Sequence, residues 1–573
     1  MSKLLLPLFL FDFHFINCFC LSSLSSLSSK YMYCTGIERT FFSRYGTRLF
    51  SNSRGLSEPI HGIKDDFRIG KTCLVWLRTS LRIGDNEALR EAIEHGPEGL
   101  SVVFTWERGP TLSTPSAAFE CAAAQQLDRK LRDLGNFLKI INVHTTMKSP
   151  MCLIYETIET LQPETLIVDA SSSENYHAAG ELQTIIEANP VTKGVKMISI
   201  TEDGSLLPFT CVPRALGRSR SGGRIFRWST FLSNMSKEVV EKPIPPPTQL
   251  PRPLDDKTDT LPELESAALW INDLMERWGD VTEQEAIDRA RSFGQSEANP
   301  PTLGNRGVSN KDSKLSPYLR WGLISPRQAH QEGVRKRDLL WRDWSHLCFR
   351  RVNPLRHGKP VLPYLDGCCT SHELRRRDGE DLFLAWCRGE TGFPMVDAGM
   401  RQLWCEGWMP RRVRLLTANF LVEGLGLDWR RGRDWFEHTL IDHDPAINEL
   451  MWQNAGFCGI DLFYRGLRWE SVESQEDRLY VERWANLQVH WPRIMEKSAE
   501  IDIVELRCVA INRRDELQKN GHYRTSGSVT NSGVRVIWEN VRNITESSKG
   551  LSAGDVWGVG LVPLEKLSFK GHT

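Results

Sequence analysis

Several features that would assign this chain of 573 residues to a common class are missing. No cysteine pair has the CxxC spacing of a zinc or iron–sulfur site, so we interpret the 14 cysteines as reduced, mostly buried thiols that bind no metal. The formal net charge is zero, so affinity for nucleic acid would need a local basic patch. Neither a GxGxxG nor a P-loop motif follows the first predicted strand, which leaves those phosphate sites without support.

The N-terminus also lacks an apolar run long enough to cross a membrane. Residues 3–20 are apolar, but they are fewer than the ~20 residues of a membrane span and include Asp12 and His14. A serine-rich stretch follows, and then a segment with four arginines against one acid. This composition is typical of an organelle transit peptide, and the apolar start also fits a signal peptide. We therefore expect residues 1–68 to be a targeting or disordered extension that directs the chain to a plastid or mitochondrion, with the nucleus left open and no membrane association after processing.

Short apolar runs alternate with segments of helical periodicity from Lys71 onward. The runs, rich in β-branched residues, are 72–77, 100–106, 137–143, 165–170 and 195–200. This alternation predicts a parallel sheet with helical crossovers, in which ligands bind at the carboxyl ends of the strands. Residues 69–205 are therefore expected to form an α/β domain.

The rest of the chain divides by composition. Pro, Gly, Ser and Arg enrich the segment after the last predicted strand, which indicates an interdomain connection at 206–298. Helical periodicity then dominates, so 299–489 is expected to be an all-helical domain. Residues 490–573 are mixed and polar and are interpreted as a C-terminal extension. The predicted fold is an α/β parallel-sheet domain followed by an all-helical domain.

Two segments of the helical part pair polar groups in ways that suit phosphate. Ser313 and Ser316 stand at a helix start, where unpaired backbone amides bind anions, although serine there is more often only a cap. Trp341 and Arg342 follow one helical turn after Asp338. The tryptophan ring could stack on a base, and the guanidinium could bind a phosphate with two hydrogen bonds. A packed tryptophan beside a surface arginine is the alternative interpretation of these residues.

Arginines and acids cluster further along the helical part. Arg411, Arg412 and Arg414 share one predicted helix start, so their side chains cannot all face in one direction. Two acids and an amide follow within seven residues, and they are Asp442, Asp444 and Asn448. Such groups are costly to bury unless they are paired. We expect one arginine to reach a buried carboxylate, while the acids need an arginine or the polar edge of a cofactor.

The order of motifs is more specific than any single one. SKLSP, LLWRD, ETGFPMVDAGMRQL, GWMPRRVR and IDHDPAIN…WQ follow one another between residues 313 and 453. This order resembles the FAD domain of the photolyase/cryptochrome family. VWLRTSLRIGDNEAL (75–89) and EDGSLLPF (202–209) resemble that family's N-terminal domain. The resemblance implies a light-driven FAD protein, with a second antenna chromophore in the α/β domain as a further expectation.

The resemblance also implies a set of flavin contacts. The residues expected around the FAD phosphates are Ser313, Leu315, Ser316 and Arg342. Arg414 is expected to pair with Asp442 beside the isoalloxazine ring, and Asp444 to contact the polar edge of that ring. Asn448 is expected to face flavin N5, where an amide resembles photolyases and an acid is more usual in plant cryptochromes. A tyrosine expected to touch FAD upstream of SKLSP is not evident.

Electron transfer to the flavin is expected to use a chain of tryptophans. Trp452 and Trp429 match the inner and middle members of the family's chain. The outer member aligns near Arg376, so this exit is missing or moved, and Trp386 and Trp404 are the candidate substitutes. Simple core packing is the alternative role for each of these tryptophans.

The substrate side departs most from the family. Asp338, Trp341, Arg411 and Arg412 are the residues expected to meet damaged DNA. Asp338, Arg411, Leu415 and Asn454 stand where dimer photolyases typically carry Glu, Asn, Met and Trp. The histidine pattern of (6-4) photolyases is absent. Asn448 favours repair of cyclobutane pyrimidine dimers by a monomer that binds damaged DNA, whereas Asn454, Arg411 and Leu415 favour a receptor or an altered substrate. The alternative is a cryptochrome-like photoreceptor that acts through a signalling partner.

Overall fold

The structure is a computed structural model that describes residues between 71 and 513. Its long gaps are 210–227, 297–311, 368–376, 461–468 and 486–505, and its short gaps are 147, 190–191, 193, 265–266, 268, 364–365, 470–471, 473 and 509. The predicted targeting segment, Arg376 and most of the C-terminal extension lie outside the described residues.

A five-stranded parallel sheet forms the N-terminal part, as predicted. Its strands are β1 (Thr72–Leu77), β2 (Gly99–Trp106), β3 (Leu138–Asn142), β4 (Thr165–Asp169) and β5 (Lys196–Ile200). Their order is β3-β2-β1-β4-β5, so the chain builds outward from β1 on one side and then crosses to the other. The reversal places a crevice at the carboxyl ends of β1 and β4. There Asp169 accepts the backbone N–H groups of Thr79 and Ser80 at 3.2 and 3.1 Å.

Helices on both faces cover this sheet. They are α1 (Glu87–His95), α2 (Pro115–Asp133), α3 (Val143–Thr146), α4 (Pro150–Leu161) and α5 (Ser173–Ala188). Helix α5 begins five residues before the apolar periodicity that predicted it. The hydroxyl of Ser172 accepts the N–H of Asn175 and caps the helix, so the serine-rich turn after β4 is already helical. This early start brings Ser173 and Glu174 to the carboxyl edge of the sheet.

The remaining described residues are helical, as predicted. The helices are α6 (Trp228–Met235), α7 (Leu269–Trp278), α8 (Glu283–Ser296), α9 (Ser316–Arg320), α10 (Pro326–Gln331), α11 (Lys336–Arg351), α12 (Asn353–Arg356), α13 (Arg377–Arg388), α14 (Pro394–Glu406), α15 (Arg411–Asn419), α16 (Trp429–Thr439), α17 (Pro445–Ala455) and α18 (Gln475–Ala485). Helix α15 runs on into a π-helical turn at Phe420–Gly424. Among the described helices, none combines the length and apolar character needed to span a bilayer.

The segment predicted to be a connection, 206–298, contains α6, α7 and α8. Ile271, Leu274 and Trp278 of α7 are buried in the main core. The proline-rich stretch before α7 is extended and lies on the α/β domain, where the N–H of Leu250 donates to the carbonyl of Leu134 at 3.0 Å. The segment therefore packs along the sheet domain as well as joining the two parts.

A single apolar cluster runs from the sheet through α2 and α7 into α11 and α17. Buried ion pairs cross the same boundary. Arg327 of α10 lies 3.0 Å from Asp85 and 3.4 Å from Asp203, and both acids belong to the α/β domain. A second cluster is built mainly from α13 to α18. The α/β domain is thus fixed rigidly against the helices that carry the motifs.

Candidate functional site

The predicted ion pair between Arg414 and Asp442 is present. Arg414 lies on the first turn of α15, and its Nη2 donates to Oδ2 of Asp442 at 2.7 Å. Nε of Arg414 donates to the carbonyl of Met409 at 3.0 Å, which fixes the plane of the guanidinium. The second carboxylate oxygen of Asp442, Oδ1, is buried and has no hydrogen-bond donor among the described residues. The pair therefore presents an unused acceptor.

The three arginines of this helix start point in three directions, as their spacing predicted. Arg412 is bound at 2.9 and 3.0 Å by both carboxylate oxygens of Asp477 on α18. The guanidinium carbon of Arg411 lies 4.6 Å from the ring centre of Trp341. Only Arg414 of the three faces the Asp442 carboxylate.

Asp444 is the most firmly held acid of the site. Its Oδ1 caps α17 by accepting the N–H groups of Ala446 and Ile447 at 3.0 and 3.2 Å. Its Oδ2 lies 3.0 Å from Nε2 of His346 and 3.9 Å from Nη1 of Arg320. Oδ2 of Asp444 is therefore close to both a histidine nitrogen and a guanidinium nitrogen.

Charges around Asp444 determine its protonation. Burial by itself would raise the pKa of Asp444, but His346, Arg320 and Arg342 together hold that pKa well below its usual value. Burial lowers the pKa of His346, and the nearby carboxylate of Asp444 opposes that shift. Asp444 is therefore an ionised, acceptor-only group.

The first turn of α5 contacts His346 and Arg320, the two side chains that approach Oδ2 of Asp444. The hydroxyl of Ser173 lies 3.0 Å from Nδ1 of His346, and Glu174 lies 3.2 Å from Nη2 of Arg320. Sequence reasoning did not identify Ser173, Glu174, His346 or Arg320 as site residues. Ser173 and Glu174 follow a strand end, which is a usable signal, whereas nothing in the sequence marks His346 or Arg320.

Asn448 lies one turn after Asp444 on α17. Its side chain is buried, and its amide nitrogen donates to the carbonyl of Arg433 at 3.1 Å. Asp442, Asp444 and Asn448 are thus brought together at the start of one helix, with Arg414 facing the first of them. This is the arrangement that the motif predicted, although the side chain of Asn448 also reaches a cleft on the other side.

The predicted phosphate segment lies close to this cluster. The N–H of Leu315 donates to Oγ of Ser313 at 3.4 Å, and Oγ of Ser316 accepts the indole N–H of Trp408 at 3.1 Å. The guanidinium carbon of Arg414 lies 5.9 Å from the ring centre of the same Trp408. The segment therefore reaches the Arg414 side of the site.

Arg342 belongs to α11, and its side chain reaches the C-terminal end of the short helix α9 (Ser316–Arg320). Its guanidinium donates to the carbonyl of Gly204 and, at 3.4 Å, to that of Leu319. Burial lowers the pKa of Arg342, and Asp444 and Asp343 offset part of that effect. Arg342 therefore ties α11 to the loop after β5 and contributes positive charge near Asp444.

These residues fit the flavin that the motifs imply. An isoalloxazine edge offers both an N–H donor and carbonyl acceptors. The site offers one buried carboxylate oxygen without a hydrogen bond among the described residues, Asp442 Oδ1. Beside it, the carboxylate of Asp444 lies 3.0 Å from Nε2 of His346 and 3.9 Å from Nη1 of Arg320, and this Nη1 donates no hydrogen bond. Buried polar atoms of this kind normally have partners. A ligand with donors and acceptors on one edge would satisfy them.

The predicted inner and middle tryptophans lock together two helices. Trp452 of α17 packs on Gly432 of α16, where an added Cβ would lie 2.1 Å from the indole ring. Trp429 of α16 packs on Gly456 at the end of α17, where an added Cβ would lie 2.4 Å from the ring. Glycine is required at both contacts because any side chain would overlap an indole. Both rings are buried in the core.

The candidate substitutes for the outer tryptophan occupy different places. Trp386 meets Trp452 edge-on, with ring centres 6.3 Å apart, so it neighbours the inner member of the chain. Trp404 belongs to a separate stack, 4.5 Å from Trp270 and 6.0 Å from Trp435. Arg376, near which the outer member aligns, lies outside the described residues.

The residues predicted to meet the substrate are engaged with one another. Asp338 lies 2.8 Å from Arg335. Trp341 is contacted by Arg411 at 4.6 Å and by Trp228 at 4.8 Å. Arg412 is paired with Asp477. Each of these residues, which were predicted to contact the substrate, therefore already contacts another side chain of the protein.

A cleft of about 370 Å³ lies between α5 and the helices α11, α12, α16 and α17. Glu174 and His177 line it from the α/β side, and Arg356, Glu437 and Asn448 line it from the helical side. Burial lowers the pKa of His177 to about 4, and the neighbouring Arg356 adds to that effect. The imidazole is therefore neutral at neutral pH. No cluster of metal-ligating side chains occurs in the described part of the chain.

Comparisons with known proteins agree with this geometry. A family model described as the FAD binding domain of DNA photolyase matches residues 335–493, and one described as DNA photolyase matches residues 73–203. A deoxyribodipyrimidine photo-lyase of Thermus thermophilus is 30% identical over 458 residues, which cover 76% of this chain and 96% of that protein.

Cryptochromes are similar to the chain at nearly the same level. Cryptochrome-2 of Arabidopsis thaliana is 29% identical over 428 residues, 67% of this chain and 65% of that protein. The crystal structure of a bacterial class III photolyase from Agrobacterium tumefaciens superposes with a TM-score of 0.61 at 24% identity, covering 80% of this chain and 99% of that one. This superposition shows the shared fold.

Proposed function

Because the chain belongs to the photolyase/cryptochrome family, we propose that it is a blue-light-driven FAD enzyme that splits cyclobutane pyrimidine dimers in DNA. The observation that carries the proposal is the buried carboxylate oxygen of Asp442 that has no hydrogen-bond donor among the described residues, beside the ionised Asp444, with the amide of Asn448 one turn after Asp444. The chemistry that bound, reduced FAD supplies is the transfer of one electron to the dimer under light and its recovery after the ring has split.

The residues of this chain have separate tasks in the proposal. Arg414 and Asp442 orient the flavin edge, and Asp444 accepts a hydrogen bond without ever donating one, because it stays ionised. Asn448 adds no negative charge beside flavin N5, so reduction there meets no electrostatic penalty from a carboxylate. Ser313, Leu315 and Ser316 bind phosphate. Trp452 and Trp429 deliver electrons from the protein when the flavin must be reduced by light.

We also propose a second chromophore in the cleft between α5 and the helical part. Its volume of about 370 Å³ is in the range of small-molecule sites. Neutral His177 offers a ring nitrogen, and Arg356 and Glu437 offer opposite charges. Because Asn448 lines the same cleft, a chromophore there would lie close to the flavin site. Import into a plastid or mitochondrion and a monomeric state are further parts of the proposal.

A photoreceptor without repair activity is the second candidate. The internal partners of Asp338, Trp341 and Arg412 favour it, because a lesion would have to displace or avoid them. The same photochemistry would then end in a changed surface for a signalling protein.

The decisive experiment is repair of one thymine dimer in a short oligonucleotide by purified protein with bound, reduced flavin. Single- and double-stranded substrates are compared under blue light and in the dark. Light-dependent loss of the dimer is expected. A photoreducible flavin without any dimer loss would reject repair in favour of the receptor.

A further inference from the structure

The indole of Trp429, the expected middle tryptophan of the chain, donates a hydrogen bond to an acid. Its Nε1 lies 3.0 Å from Oδ1 of Asp366, a distance at which a base can accept a proton directly. Arg430 donates to both oxygens of Asp366, at 3.2 and 2.6 Å, and so fixes the carboxylate against the indole. A proton acceptor is therefore already in place beside Trp429.

Trp429 and Asp366 differ in their access to water. Trp429 is only 2% exposed, whereas the side chain of Asp366 is 26% exposed. The indole N–H can donate but cannot accept a hydrogen bond, and in the described part of the chain it donates to Asp366. A proton that leaves the buried indole thus passes to Asp366 before it reaches solvent.

Positive charge lies over the ring of Trp429. The guanidinium carbon of Arg430 is 4.5 Å from the ring centre, and that of Arg433 is 5.4 Å from it. A neutral indole attracts these cations, but an indole that has lost an electron is itself a cation and is repelled by them. Loss of the N–H proton removes this repulsion. The surroundings therefore favour the neutral tryptophanyl radical over the radical cation.

We propose that Asp366 accepts the indole proton of Trp429 when this tryptophan is oxidised in the light. One electron leaves Trp429 through Trp452 for the light-excited oxidised flavin, the indole N–H bond breaks, and an O–H bond forms on Asp366. A thiol in solution later returns one electron and one proton to the neutral radical, and Asp366 releases its proton to water. The inference rests on the proposed photoreduction through these two tryptophans and does not depend on repair.

Proton transfer to Asp366 matters because the electron would otherwise return. Position 376, where the outer tryptophan of the family aligns, is an arginine, so the oxidised state of Trp429 has no tryptophan at that position to move to. A neutral radical takes back an electron only if a proton also returns, which slows recombination. Asp366 thereby makes Trp429 able to serve as the last member of the chain.

Transient absorption after a laser flash tests the proposal on the full chain with oxidised FAD and without DNA. The cationic and neutral tryptophanyl radicals absorb at different wavelengths, so both are followed directly. Asp366→Asn keeps an oxygen for the hydrogen bond but is a far weaker base, and Asp366→Glu restores the carboxylate. Asp428→Asn is the matched control, because Asp428 also pairs with Arg430, at 3.2 Å, but has no hydrogen bond to the indole.

In wild type and in Asp428→Asn, the cationic radical should convert to the neutral one, and more slowly in D2O. In Asp366→Asn the cationic radical should recombine, the net yield of reduced flavin should fall several-fold, and Asp366→Glu should recover most of that yield. Equal conversion in Asp366→Asn and wild type, or no tryptophanyl radical in the wild type, would overturn the proposal. Dimer repair by chemically reduced protein needs no electron from Trp429, so its absence would count against the repair function alone.

Discussion

Nη2 of Arg414 lies 2.7 Å from Oδ2 of Asp442, and the other oxygen of that carboxylate is buried without a donor among the described residues. The pair joins the start of α15 to the turn before α17. One side of the carboxylate thus holds the protein together, and the other faces a position that only a ligand would fill. Arg412 and Asp477 form a second pair from the same helix start, and it provides an internal control.

Asp442→Asn should weaken FAD binding. The substitution leaves the Arg414 guanidinium without its anionic partner and replaces the free acceptor oxygen or its neighbour with an N–H group, which together should raise the dissociation constant at least about tenfold. Fluorescence titration of apoprotein with FAD measures this change. Asp477→Asn removes the partner of Arg412 and should leave the FAD dissociation constant near wild type. Equal effects of the two variants would contradict the assignment of Asp442 to the flavin.

Gly432→Ala should destabilise the fold at the tryptophan pair. The added methyl would lie 2.1 Å from the ring of Trp452, so the helices must move apart at a cost of about 1–3 kcal/mol. Urea unfolding followed by tryptophan fluorescence measures the loss. Gly180→Ala, in α5, meets no atom within 4 Å and should be neutral or stabilising by about 0.5–1 kcal/mol. A stable Gly432→Ala protein would refute the close packing of α16 on Trp452.

Trp386 should provide a branch for electron transfer next to the inner tryptophan. Photoreduction of bound flavin with a thiol present should stop in Trp452→Phe and persist in part in Trp429→Phe. The double variant Trp386→Phe/Trp429→Phe should lose that remainder, because Trp386 is the aromatic neighbour 6.3 Å from Trp452. Trp404→Phe alters a separate stack and serves as the control. If the double variant matches Trp429→Phe alone, Trp386 has only a packing role.

Stability should fall with rising pH because of Asp343. Burial raises the pKa of Asp343 to about 7, and the N–H groups of Leu206 and Leu207 only partly compensate. A raised pKa in the folded protein favours the protonated form, so its stabilising effect is full below about pH 4 and is lost as pH rises through about 7.

Asp343→Asn should remove this dependence. Between about pH 5 and about pH 8 the wild type should lose on the order of 2–3 kcal/mol more than the variant, read from urea midpoints. Parallel pH profiles of the two proteins would show that Asp343 stays ionised in the fold.

Local sequence patterns predicted the features that depend on residues close together in the chain, namely the strands and the motif residues. The strand periods located the five strands to within a residue or so, and the motif around Asp442 predicted its ion pair with Arg414. The contacts of His346 with Ser173 and Asp444 could not be predicted in this way. They join residues about a hundred or more positions apart, and only the docking of α5 on α11 and α17 creates them.

The packing of the segment 206–298 was not predictable from its composition. Helical periodicity beyond residue 260 predicts helices there, and α7 buries Ile271 and Trp278 in the core. That burial depends on contacts with distant parts of the chain, which composition does not reveal. The sequence also could not predict that Trp341, expected to meet the substrate, packs against Trp228, because the two residues belong to separate parts of the chain.

The amide of Asn448 is proposed to set this flavin site for repair, and exchanging it for a carboxylate tests that role. Protein reconstituted with FAD and reduced is given a single-stranded oligonucleotide with one thymine dimer, and dimer loss under blue light is compared between wild type and Asn448→Asp. We expect light-dependent repair by the wild type and at least about a tenfold loss in Asn448→Asp, because a carboxylate beside the flavin disfavours its reduced, negatively charged state. Equal repair by both proteins, or none by a wild type whose flavin is fully reduced, would contradict it.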